Sequence, residues 1–293
     1  MKAKVQQVVR LRHGVWQRVG TLVAVVILAA GGNCVWAAKD VLKVCQDPNN
    51  LPFSNERAEG FENRIAELFA QKLGWKLDYF SFPQRMGFVR NTLRFKLPGE
   101  EYRCDLVIGV PAKWDQVSPT KPYYRSTYAL VYPHGGKLDG VRTAKELYAL
   151  DPKVLRSLRI GVYDRSPATE WLNQHGLADQ GVPYRMMNAD PGYYPGQIIE
   201  QDLASGKLDA AVVWGPIAGF FAKRSTQPKM VLIPLPSEQG VKFDYDIAMG
   251  VRFGEPQWKA TVEKLIDDNR DRIEQILHEY NVPLLDAQGN VKS

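Results

Sequence analysis

The stretch LKVCQDPNNLPFSNERAEGFENRIAELFAQKLG, residues 42–74, decides the fold. Its start, LKVC, is a short apolar run of the kind a buried strand presents, while Phe61, Ile65, Leu68, Phe69 and Leu73 recur at helical spacing and Gly74 supplies a stop. Between strand and helix lies a link far more polar and stiff than a connector needs. Pro48 and Pro52 restrict its backbone, and Asn49, Asn50, Ser54 and Asn55 line it with donors and acceptors. Asp47-x-Asn49 begins like a calcium loop, yet Leu51, Pro52 and Ala58 stand where that loop needs its fifth ligand, its glycine and its closing glutamate. A strand, a rigid polar edge and an amphipathic helix therefore predict the carboxyl end of a strand in an α/β sheet, where such sheets bind ligands.

The same alternation continues along the chain. WKLDYFS (75–81), DLVIGV (105–110) and YALVY (128–132) read as strands, with a short helix near Phe88–Leu93. A second series follows: LRIGVY (158–163), a helix over Ala168–His175, PYRMM (183–187), a helix over Gln197–Ala204, LDAAVVW (208–214), a helix near Ile217–Ala222 and MVLIPL (230–235). YDIAMGVRF (245–253) is one more strand, and Glu255–Tyr280 reads as one long helical segment with Pro256 in its first turn. Strand–helix alternation of this kind predicts parallel sheets built from βαβ units. Two such series joined near 126–132 and 244–252, with no low-complexity linker, predict two α/β lobes joined by two crossings. The expected division is 38–129 plus 244–293 for the first lobe and 130–243 for the second.

Residues 1–37 read as a secretory signal. Arg10, Arg12 and Arg18 precede the apolar run LVAVVILAA (22–30) and a small-residue site ending at Ala37. Nine apolar residues fall short of the roughly 20 that a spanning helix needs, so no transmembrane segment is expected after cleavage. The chain has 38 basic and 32 acidic residues, and the leader holds five of the basic ones; the remainder is 33 against 32, net +1. The basic isoelectric point is thus a property of the leader and gives no support to nucleic-acid binding. Export would place the protein in an oxidising compartment, which invites a disulfide between Cys45 and Cys104. Strand geometry argues the other way: Cys45 ends one strand and Cys104 begins another, and opposite ends of parallel neighbours lie roughly 13 Å apart. The bridge is left open.

Catalytic, metal and cofactor signatures are missing. No HxxxH, CxxC, GxSxG, phosphate loop or dinucleotide fingerprint occurs, and His134, His175 and His278 each fall at turns or on helices where a structural role suffices. Glu62, Asp105, Asp115 and Asp246 are available carboxylates, but no spacing pairs them for acid–base work. The chain reads as a non-enzyme without cofactor.

The order LKVCQD, LPFSN, EGFENRIAELFAQKLG, CDLVIGV, PYYRSTYALVY, IGVYDRSPATEWL, LDAAVVWGP and DYDIAMGV resembles the periplasmic solute-binding proteins, over roughly Leu42 to Pro283. This resemblance implies the type II periplasmic solute-binding-protein fold. CQDPNNLPFSNERAEGFENRIAE, PQRMGFVRNTL, VVWGPIAGFFA and DIAMGVR are similar, more narrowly, to the MxaJ/XoxJ group associated with pyrroloquinoline-quinone (PQQ) methanol dehydrogenases. It implies a periplasmic accessory factor that interacts with, and helps mature or activate, a PQQ-dependent alcohol dehydrogenase. The alternative is an importer's solute receptor for a small non-amino-acid organic ligand.

Two departures from amino-acid receptors matter. Where those place an arginine for the ligand carboxylate, this chain has Trp114 and Asp115; where they place an acid for the ammonium, it has Trp214-Gly215-Pro216. Trp114 and Trp214 would offer flat apolar faces to a ligand or protein segment, or pack in a lobe core. Phe53 either stacks on a ligand or staples its loop. Tyr124, Arg125 and Arg165-Ser166, the last before a helix start, complete the cleft candidates with Asn49 and Asn50. Arg85 and Arg90 are further cations that could meet an anion or simply form surface pairs.

Overall fold

The computed structural model describes residues 40–292 except 85, 86, 187, 189 and 191; the leader and Arg85 lie outside the described residues. β1 (Val41–Gln46) is the pivot of the first lobe. The next residues form a two-stranded hairpin, β2 (Asn49–Asn50) and β3 (Ser54–Asn55), and α1 (Phe61–Leu73) follows. Phe61, Ile65, Ala66, Phe69 and Ala70 of α1 are buried on one face, and Gly74 ends the helix at φ +68°, where only glycine is unstrained. β4 (Lys76–Ser81), α2 (Phe88–Asn91) and β5 (Leu106–Pro111) complete this lobe's first half. β4 and β5 flank β1, both parallel to it.

β6 (Ser118–Pro119) leads to the first crossing strand, β7 (Tyr124–Pro133). The second lobe holds α3 (Ala144–Tyr148), α4 (Pro152–Arg156), β8 (Ile160–Tyr163), α5 (Pro167–Gln174) and β9 (Gly181–Tyr184). It continues through a π-helical turn over Ile198–Leu203, β10 (Ala210–Trp214), α6 (Gly215–Arg224) and β11 (Met230–Pro234). β12 (Asp244–Val251) returns to the first lobe, followed by α7 (Pro256–Asp268) and α8 (Arg270–Glu279). No helix among the described residues is long and apolar enough to cross a membrane.

The strands run in the order β4-β1-β5-β12-β7-β10-β8-β9. Outer pairs in each lobe are parallel, as the alternation predicts, whereas β12 and β7 pair antiparallel to their neighbours and to each other. The two crossings thus meet as a ladder, Tyr124–Thr127 against Asp244–Ile247, and Arg125 is ion-paired with Asp244 across it. Each lobe has separate apolar clusters on its two sheet faces.

The structure decides the bridge that the sequence leaves open and corrects one expectation. Cys45 and Cys104 form a disulfide, with Cα atoms 5.3 Å apart. The strands are staggered, Val44 facing Leu106, so β5 begins opposite the far half of β1, and bends at Arg103 and Asp105 fold Cys104 toward Cys45. The C-terminal helix is two helices, broken at Asn269, whose side-chain amide donates to the Leu265 carbonyl.

Candidate functional site

The site begins with how the link after β1 is tied down. Ser54 Oγ donates to the Asp47 carbonyl at 2.9 Å, and Asp47 Oδ1 accepts from Asn49 N at 2.8 Å. At the start of α1, Phe61 N donates to Pro52 O and Glu62 N to Phe53 O, so loop carbonyls consume helix donors that otherwise lack partners. Asn63 Oδ1 accepts from Gly60 N at 3.0 Å while its Nδ2 donates to Gln46 Oε1 at 2.7 Å. A Cβ on Gly60 would lie 1.9 Å from Phe53 O, so only glycine lets loop and helix approach this closely. The hairpin and α1 therefore form one rigid block at the carboxyl end of β1.

This block faces a cavity of about 290 Å³ between the lobes. Phe53, Tyr124, Tyr128, Trp214 and Tyr245 supply aromatic walls, with Gly109, Val110, Pro111 and Ile247 between them. Trp214 packs edge-on against Tyr128, centroids 5.5 Å apart, and against Tyr245 at 5.9 Å. Phe53 and Trp214 each touch apolar clusters of both lobes. Tyr128 and Tyr245 come from the crossing strands, so the walls combine hinge and lobes.

Among the described residues, one carboxylate lines the cavity. Glu62 lies in the first turn of α1 against β5, its Oε1 only 2.1 Å from where a Gly109 Cβ would stand; the glycine makes room for it. Burial among these walls, reinforced by the nearby Asp47 carboxylate, pushes its pKa up to about 8. No Lys or Arg lines the cavity among the described residues. Burial also raises the phenols of Tyr124, Tyr128 and Tyr245 above the ordinary tyrosine range.

Among the residues singled out from the sequence, Phe53, Tyr124 and Trp214 meet in this cavity. Asn49 and Asn50 line a smaller recess of about 90 Å³ beside it, facing Met186, Tyr193 and Pro195 of the second lobe; Asn50 Nδ2 donates to Gln84 Oε1 at 2.8 Å. Arg125 lines a different recess, its guanidinium committed to Asp244. Arg165 is exposed, with φ +58°, and Ser166 is buried, its hydroxyl donating to Tyr163 O at 2.7 Å. Trp114 packs beside the cluster of Phe88, Val89 and the disulfide, apart from the cavity. Glu62, Tyr128 and Tyr245 were not singled out as site residues. A signal existed for Glu62: it follows Gly60-Phe61 directly at the sheet's carboxyl edge.

The lobes also touch behind the cavity. Phe220 of α6 stacks on Tyr280, centroids 5.6 Å apart, Lys223 Nζ donates to Glu279 O at 3.0 Å, and Asn281 Nδ2 donates to Gly219 O at 3.0 Å.

No family model matches the chain. It is 29% identical over 258 residues to Protein MoxJ of Methylorubrum extorquens, covering 83% of this chain and 81% of that protein. The crystal structure of MxaJ from Methlophaga aminisulfidivorans superposes with a TM-score of 0.67 at 22% identity, covering 83% of this chain and all of that one. The periplasmic binding protein XoxJ from Methylobacterium extorquens AM1 superposes with a TM-score of 0.63 at 36% identity, over 84% of this chain and 99% of that one. With that identity sustained over nearly the full length of a binding protein of the same two-lobed fold, the chain belongs to the MxaJ/XoxJ family of periplasmic binding proteins.

Proposed function

We propose that this protein acts in the periplasm as an accessory factor of a PQQ-dependent methanol or alcohol dehydrogenase, exported by a leader over residues 1–37. Its lobes are residues 38–129 with 244–293, and 130–243, and they engage the partner through the cleft and its rims by opening and closing about the crossing strands. The observation that carries this reading is the cleft itself. Its walls are five aromatic rings and one carboxylate, and no described cation takes the place of the arginine that holds an amino acid's carboxylate. A surface of this make-up suits a partner's apolar segment better than a zwitterion.

The test is capture from a methanol-grown periplasm with the 38–293 chain as bait, bound proteins being identified by mass spectrometry. A quinoprotein dehydrogenase is expected to be enriched, and Trp214→Ala to weaken its capture at least tenfold. Absence of any quinoprotein dehydrogenase above background at both low and moderate salt removes the proposal. The second reading, a solute receptor for an importer, draws on the size of the cavity, whose 290 Å³ is near the lower bound of about 300 Å³ for small-molecule sites.

A further inference from the structure

We propose that the interlobe cavity is a binding site for a small alkylated ammonium ion, with Glu62 as its counter-charge and Phe53, Tyr124, Tyr128, Trp214 and Tyr245 as its cage. The inference rests on reading the cleft as this protein's place of binding. Aromatic faces attract a cation that lies over them, and the attraction grows where water is excluded. The same walls give a neutral apolar molecule no use for the carboxylate. Once Glu62 is ionised, an anion or zwitterion would set its own carboxylate beside a like charge.

The substituents on nitrogen follow from the aromatic walls. A bare ammonium brings three N–H donors. Besides Glu62, the one non-aromatic polar side chain lining the cavity among the described residues is Gln84, and its Oε1 already accepts from Asn50. A primary ammonium would have to divide its three donors among the Glu62 carboxylate and the phenol oxygens of the walls, whereas N-methyl groups need no acceptor and lie against ring faces. The volume restricts the ligand to a compact molecule.

Protonation makes the site legible in solution. Glu62 holds its proton up to about pH 8 in the free protein, and an arriving cation expels it. The groups facing it are Asp47 from the loop, Tyr123 just before β7 and Tyr124 at its start, with Tyr128 and Tyr245 completing the walls. Burial raises all four phenols, so Glu62 is the wall group that titrates as pH rises from neutrality.

Titration calorimetry on the mature chain tests the proposal with choline, its uncharged isostere 3,3-dimethyl-1-butanol, and Nα-acetyl-lysine amide. Choline is expected to bind saturably and at least tenfold more tightly than the isostere, with affinity rising from pH 6 to pH 9. Glu62→Gln, its folding verified by thermal melting, is expected to lose at least tenfold and the pH dependence; Trp214→Ala, which keeps the carboxylate, should weaken choline several-fold. The proposal is overturned by equal binding of choline and the isostere, by no choline binding, or by choline affinity unchanged in Glu62→Gln. Preference for the lysine amide overturns the alkylated assignment and points to a protein-borne side chain. Capture of a dehydrogenase without choline binding would sink this inference and leave the proposed function standing; the reverse result would do the opposite.

Discussion

Glu62 occupies the first turn of α1, where a carboxylate ordinarily gains from the helix dipole. Here desolvation wins, because the helix donors nearest it are spent on Pro52 and Phe53 carbonyls and the side chain is pressed against Gly109. A carboxyl group with its folded pKa raised to about 8 from the ordinary 4.5 stabilises the fold fully below pH 4.5, and that contribution is lost as pH rises toward 8. The loss is on the order of 5 kcal/mol at most, less whatever local relaxation recovers. Glu62→Gln should therefore flatten the fall in stability between pH 5 and 8, as read from urea unfolding midpoints of the ligand-free protein. An unchanged slope would mean that the carboxylate is solvated after all. From sequence alone this residue is easily passed over, because an acid in a helix's first turn satisfies an ordinary rule and its burial is decided by a strand nearly fifty positions away. Phe53 and Trp214 were legible because Phe53 sits in the link after a strand and Trp214 at a strand's end, each with more apolar surface than a connection requires.

The strand–link–helix unit over residues 42–74 and the apolar face of α1 follow directly from local pattern, as do the strands around Leu106–Pro111 and Ala210–Trp214. Features set by a single distant contact do not. The break between α7 and α8 interrupts no hydrophobic period; it is made by Asn269 turning its amide onto Leu265. The disulfide depends on the stagger of β5 against β1, which spacing does not reveal. That bridge spans 59 positions, enclosing α1, β4 and α2, so its loss frees a large loop in the unfolded chain. Loop-closure entropy places the effect near 4 kcal/mol. Replacing both Cys45 and Cys104 by alanine should lower unfolding stability by about that amount in denaturant titrations. A loss below about 1 kcal/mol would mean that the unfolded loop is already restrained.

At the level of the lobes, α6 lies against the segment after α8 with almost no clearance. A Cβ on Gly219 would stand 1.8 Å from Asn281 O, and one on Gly215 would stand 2.1 Å from Thr127 O. Gly219→Ala should force this contact apart, lowering the thermal midpoint by several degrees and increasing the radius of gyration in small-angle scattering. A variant with unaltered scattering and melting would show that the contact yields without moving the lobes. The same segment continues to the hinge, where Ser126 Oγ donates to Pro283 O at 2.7 Å and Leu284 bridges Ser126. Residues 280–285 thus behave as a tether of fixed length, anchored on the second lobe at one end and on a crossing strand at the other. In the proposed opening, how far the jaws part is set by the number of residues in that tether, and lengthening it would change the gape without altering any side chain in the cleft.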